Sequence, residues 1–149
     1  MLRTPESIHH EHAELHETLA GATAEPGALG ETARALAEAL HPHFRREEEI
    51  ATPPLGLLAA IAAGDPVDAM TDVLPLTDAL ERELPQMLAE HGNIREALAA
   101  FRAAAETAGR ADYVDFAAGL AAQARQEEEV LYPAAILVGR YVRAMAPER

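Results

Sequence analysis

Apolar residues recur every three to four positions in four long stretches of the chain. The first stripe runs Ile8, His12, Leu15, Leu19, and the second Leu36, Leu40, His43, Phe44, Glu47, Ile50. The third is Leu80, Leu84, Met87, Leu88, His91, Ile94, Leu98, Phe101, and the fourth Tyr113, Phe116, Leu120, Gln123, Glu127, Val130. This is the period of an amphipathic α-helix with one face turned to a core. Local signals bound the stretches. Thr4-Pro5-Glu6 reads as a cap followed by proline at the first helical position and Gly21 as a stop, so a first helix is predicted over about 5–20. The second is predicted over about 29–51, with Pro42 kinking rather than ending it because the stripe stays in phase across the proline. Pro53-Pro54 ends it.

A short apolar helix is expected over about 55–63 and another from Asp65-Pro66 to about Asp72, both packed across the end of a bundle. The third long helix is predicted from about Leu76 to Ala108, with a kink at Pro85 and Gly109 as its stop. Asp112 is positioned to cap the fourth, and Pro133 to bend or break it ahead of a terminal helix over Ala134–Met145. Four long amphipathic helices joined as two similar pairs predict an all-α protein. The expected form is an antiparallel up-down four-helix bundle with a pseudo-two-fold repeat of helix pairs and short extra helices. At 149 residues the chain has the length of a single domain, residues 1–149.

Composition agrees with helix, since Ala, Leu and Glu are frequent and aromatics make up 4%. The net charge of −13 argues against nucleic acid and against an anionic membrane surface as partners. The absence of cysteine excludes disulfides, thiol chemistry and thiolate-bound metal. The first dozen residues hold charge and three histidines in place of the apolar core of a secretion signal, and no apolar run has bilayer length. A cytoplasmic location is the default expectation.

Polar residues interrupt the stripes where their neighbours are Leu, Ile or Phe: His12, then His43 and Glu47, then His91, then Gln123 and Glu127. Spacings of four place His43 over Glu47 and Gln123 over Glu127 on core-facing sides. A buried carboxylate without a partner costs several kcal/mol, about the scale on which it gives up its charge instead. A bound cation would compensate two of them. The two carboxylates belong to a doubled stretch, since the segment from His43 to Pro53 aligns without a gap on the segment from Gln123 to Pro133. Arg45 matches Arg125, Glu47-Glu48-Glu49 match Glu127-Glu128-Glu129, and Pro53 matches Pro133; His43 faces Gln123. Imidazole and carboxylate donors without thiolate suit iron, zinc or manganese.

The pieces Glu11-His12, His43-Phe-Arg-Arg-Glu47-Glu48, Glu90-His91 and Glu127-Glu128-Glu129-Val130-Leu131-Tyr132-Pro133 occur in this order on the four predicted helices. In this the chain resembles the hemerythrin-like, or HHE cation-binding, family. The resemblance implies a non-haem di-iron centre that meets dioxygen, nitric oxide or peroxide, or reports iron and oxygen levels. It would place His12 and His43 on one iron, His91 and the residue at 123 on the other, and Glu47 and Glu127 as bridges. Gln123 departs from the family's usual histidine. The expectation is therefore one well-furnished site of His12, His16, His43 and Glu47, with the second site degraded. His9, His10 and His41 are expected at the surface, as are Glu48, Glu49, Glu128 and Glu129, and Tyr132 as apolar filling. Arg45 and Arg125 are expected to form surface ion pairs with Glu49 and Glu129. Two further functions share this sequence: an oxidoreductase acting on peroxide or nitric oxide, and a structural or regulatory bundle without metal.

Overall fold

In a computed structural model that describes residues 2–147, all regular structure is helical. The long elements are α1 (Glu6–Thr23), α2 (Gly27–Ile50), α4 (Leu74–Thr107) and α5 (Ala111–Gln126). Between α2 and α4 the chain makes a 3₁₀ turn (Pro53–Leu57), the short α3 (Leu58–Ala62) and a second 3₁₀ turn (Asp68–Val73). After α5 comes a π-helical turn (Glu127–Leu131), which passes directly into α6 (Tyr132–Met145). Four helices pack together: α2 lies against α1 and α4, and α4 against α5, while α6 docks along α4.

The stripes form this core, and the first three hold their phase except at Leu88, which is 39% exposed. Leu36, Leu40 and Phe44 of α2 meet Ile94, Leu98 and Phe101 of α4, Leu19 of α1 and Leu120 of α5 in the larger apolar cluster. Each such side chain, fully buried, contributes about 1.5–3 kcal/mol by leaving water. A second cluster joins Ile50, Leu80, Met87, Tyr132 and Ala135 beyond it, and a third, with Val73, Val138 and Val142, lies under the connecting turns. Pro42 and Pro85 sit inside their helices on exposed faces, where a missing backbone hydrogen bond costs least.

Several local expectations give way. Gly21 lies within α1, which runs on to Thr23; the positive φ that favours glycine belongs to Gly27 at 69° and to Gly109 at 69°, which follows α4. Thr4 caps no backbone group and bonds Thr52 Oγ1 through its own hydroxyl at 2.8 Å, tying the N-terminal segment to the end of α2. Asp112 falls in the first turn of α5 rather than at its cap and pairs with Arg110. Glu49 pairs with Arg46 instead of Arg45.

The fourth stripe changes phase at its end. Pro133 has no N–H for the carbonyl of Glu129 and its ring would crowd it; the backbone widens just ahead, with the N–H of Tyr132 bonding the carbonyl of Glu127 five residues back. The widening adds one residue to the turn. Val130 is thereby turned out, 53% exposed, and Tyr132 is turned in, 2% exposed. The matching carbonyl of Glu47 likewise accepts from Thr52, five residues on, ahead of Pro53.

Candidate metal centre

Between the two larger apolar clusters lies one polar layer. On α2, Glu47 falls between Phe44 of one cluster and Ile50 of the other; on α4, His91 falls between Ile94 and Met87. Glu127, opening the π turn, falls likewise between Leu120 and Tyr132. His43, Glu47, His91 and Glu127 are all at most 4% exposed. Each offers a nitrogen or oxygen to a group whose members lie within 4.8 Å of one another. His43 Nε2 is 3.0 Å from Glu47 Oε1, the two Nε2 atoms are 2.9 Å apart, and His91 Nε2 is 3.2 Å from Glu127 Oε1.

The outer nitrogens of both rings are held by carboxylates. His43 Nδ1 lies 3.2 Å from Glu90 Oε1, and His91 Nδ1 lies 2.8 Å from Glu128 Oε1, itself fixed by Arg95 at 2.7 Å. A carboxylate only accepts, so each Nδ1 carries a proton, and in a neutral ring Nε2 then turns a lone pair inward. Two such lone pairs 2.9 Å apart need a proton or a cation between them. The same outer support orients imidazoles that hold metals.

Charge in the layer is arranged accordingly. Burial works against a charged His43, but Glu47 and Glu90 outweigh it and raise its pKa above the ordinary histidine value. Burial, joined by the charge on His43, lowers that of His91. Burial and then the neighbouring negative charge of Glu47 push the Glu127 carboxyl up to about 11, so it is neutral near pH 7. Glu47 is also pressed upward by burial, yet His43, the neutral Glu127 and the Tyr132 hydroxyl hold it below the usual carboxylate range. Its second oxygen, Oε2, is buried without a hydrogen-bond partner. An orphaned carboxylate oxygen in a core costs about 1–3 kcal/mol or more.

Four of the seven candidate residues from the sequence therefore come together, one histidine and one glutamate from each half of the chain. The other three do not join them. His12 is buried but stacks on Phe44 at 5.3 Å between ring centres, its Nδ1 3.8 Å from Glu48. His16 is half-buried, meeting Phe44 edge-on at 5.1 Å and His41 at 5.7 Å, and burial lowers its pKa. His12 and His16 of the expected grouping thus lie against the Phe44 ring, outside the group that His43 and Glu47 form with His91 and Glu127. Gln123 is half-buried and lines a small cavity beside His43, His91 and Glu127, walled otherwise by Leu40, Phe44, Ile94, Leu120 and Ala124. That cavity, of about 10 Å³, has room for about one water molecule.

Two residues read as peripheral belong to the site. Glu128, expected on a solvated face, braces His91. Tyr132, expected as filling, puts its hydroxyl 3.2 Å from His43 Nε2 and 3.2 Å from His91 Nε2 and donates to Glu47 Oε1. The sequence carried one signal for Glu128, its place directly after an inward-facing carboxylate. Tyr132 had none, because its orientation depends on the widened turn.

No known protein family, curated protein or solved structure matches the chain. No helix among the described residues is long and apolar enough to cross a membrane. The donor set itself fits a hard or borderline cation: two imidazoles and two carboxylates, no thiolate, and one carboxylate oxygen without a partner.

Proposed function

We propose that the chain is a hemerythrin-like metal-binding protein, holding one non-haem ion on His43, Glu47, His91 and Glu127. The observation that carries this is the pair of inward-facing Nε2 atoms, 2.9 Å apart and enclosed with two carboxylates in a buried layer. Iron is the first choice from the resemblance, and zinc and manganese suit the same donors. Paired contacts from His43 to Glu90 and from Arg46 to Glu83 step in opposite senses along α2 and α4, which supports the antiparallel up-down arrangement. The internal repeat is supported by the second carboxylate of each copy: Glu48 faces His12 of the preceding helix, and Glu128 faces His91.

A bound iron would supply redox chemistry and an open position for a small diatomic ligand such as dioxygen or nitric oxide, or for peroxide. The protein's own part is to hold and to exclude. Glu90 and Glu128 keep each imidazole in the tautomer that presents Nε2, and the neutral Glu127 gives up its proton on binding. Leu40, Phe44, Ile94 and Leu120 keep bulk water from the inner face and leave a cavity too small for anything larger than a few atoms.

A metal count with an absorption spectrum on protein purified without added chelator tests the proposal. One tightly held ion per chain, absent from His91→Ala, is the expected result. A protein that takes up no iron, zinc or manganese, with a melting temperature indifferent to all three, would instead be a metal-free helical bundle.

A further inference from the structure

The Tyr132 hydroxyl is not one of the four ligands named above, yet it lies against the donor atoms of three of them. It is 3.2 Å from each Nε2 and hydrogen-bonded to Glu47 Oε1, on a ring 2% exposed. A buried tyrosine needs one polar partner to satisfy its hydroxyl; this one has that partner in Glu47 and stands 3.2 Å from two ring nitrogens besides. The separations are those of atoms sharing one coordination shell. With metal–nitrogen and metal–oxygen bonds of about 2.0–2.1 Å, donors at right angles about the ion are about 3 Å apart.

The position arises from the π turn, which brings residue 132 to the core side that Val130 would otherwise take. Its counterpart in the first copy, Thr52, turns its hydroxyl to Thr4 at 2.8 Å and stays out of the layer. The copy that lacks the histidine, with Gln123 at its first position, is the copy that supplies a phenol at its tenth.

We propose that the Tyr132 oxygen is a fifth donor to the ion, an assignment that rests on the metal site argued above. As the oxygen–metal bond forms, the phenolic O–H bond breaks and its proton passes to solvent; no electron is transferred. With two carboxylates and a phenolate, the shell carries three negative charges and prefers a hard trivalent ion, ferric over ferrous iron.

The test is to load the protein with one equivalent of ferric iron. A visible phenolate-to-iron charge-transfer band is expected, absent from Tyr132→Phe, which should still bind iron but roughly tenfold or more weakly. Loading with zinc should give a tyrosinate ultraviolet difference signal, again lost in Tyr132→Phe, although Tyr113 and Tyr141 remain. Iron held by the wild-type protein without the band, together with zinc held without the tyrosinate signal, overturns the fifth donor and leaves the four-ligand site standing. Failure of the wild-type protein to bind either metal overturns both. The wild-type spectra decide the matter even where the variant fails to fold.

Discussion

Glu127 shows how one side chain links the core to solvent conditions. Its carboxyl is neutral in the folded, metal-free protein, with a pKa pushed up to about 11, and ionised in the unfolded chain above about 4.5. Between those values the folded state holds one more proton than the unfolded, so this group's contribution falls as pH rises, by at most about 1.4 kcal/mol per pH unit. Thermal melts of chelated protein from pH 5.5 to 8.5 should show Glu127→Gln losing less stability with rising pH than the wild type; parallel curves would mean that Glu127 is ionised in the fold. Metal binding runs the other way. An ion held as proposed would need Glu127 deprotonated, so its affinity should increase with pH.

Two contacts between helices define what the elements contribute. α6 approaches α4 so closely at Gly139 that a Cβ there would lie 2.1 Å from Thr77 Oγ1 and 2.5 Å from Thr77 Cβ. Helix propensity alone favours Gly139→Ala by about 1 kcal/mol. The clash reverses the sign, and the variant should lose about 1–3 kcal/mol in denaturant unfolding. Thr77→Ala in the same chain should restore only part, because the Thr77 Cβ also stands in the way. On the other side of α4, the Arg46 guanidinium meets Glu83 through both carboxylate oxygens, and this hydrogen bonding lowers the Glu83 pKa. A depressed carboxylate stabilises above its unfolded pKa and stops doing so as pH falls through the folded value. Glu83→Gln should therefore cost below about 1 kcal/mol at pH 7, a difference that closes below about pH 4. A constant gap down to pH 3 would show that the pair acts through packing instead.

For the molecule as a whole, the polar layer splits the core, and its energetics depend on what fills it. A ligand that binds only the folded state stabilises by about 4 kcal/mol at a thousand times its dissociation constant. In a domain of this size that is a rise of roughly 8–16 °C in melting temperature. Calorimetry of the loaded protein before and after chelation should show a shift of that order, abolished in His43→Ala. Equal melting temperatures would remove the cation from the account of stability.

Periodicity determines much of this protein before any folding. The four long helices, their apolar faces, the placement of His43 with Glu47, and the inward turn of His91 and Glu127 follow from 3.6-residue spacing, because each depends only on neighbours along the chain. Which of those polar groups meet is a tertiary matter. Phe44 draws His12 and His16 to its ring, and the bundle packs a histidine and a glutamate from each half into one layer. The π turn belongs to both levels. Pro133 announces a break, but the folded chain, with α6 packed on α4, absorbs it as one extra residue, turning Val130 to solvent and Tyr132 into the site.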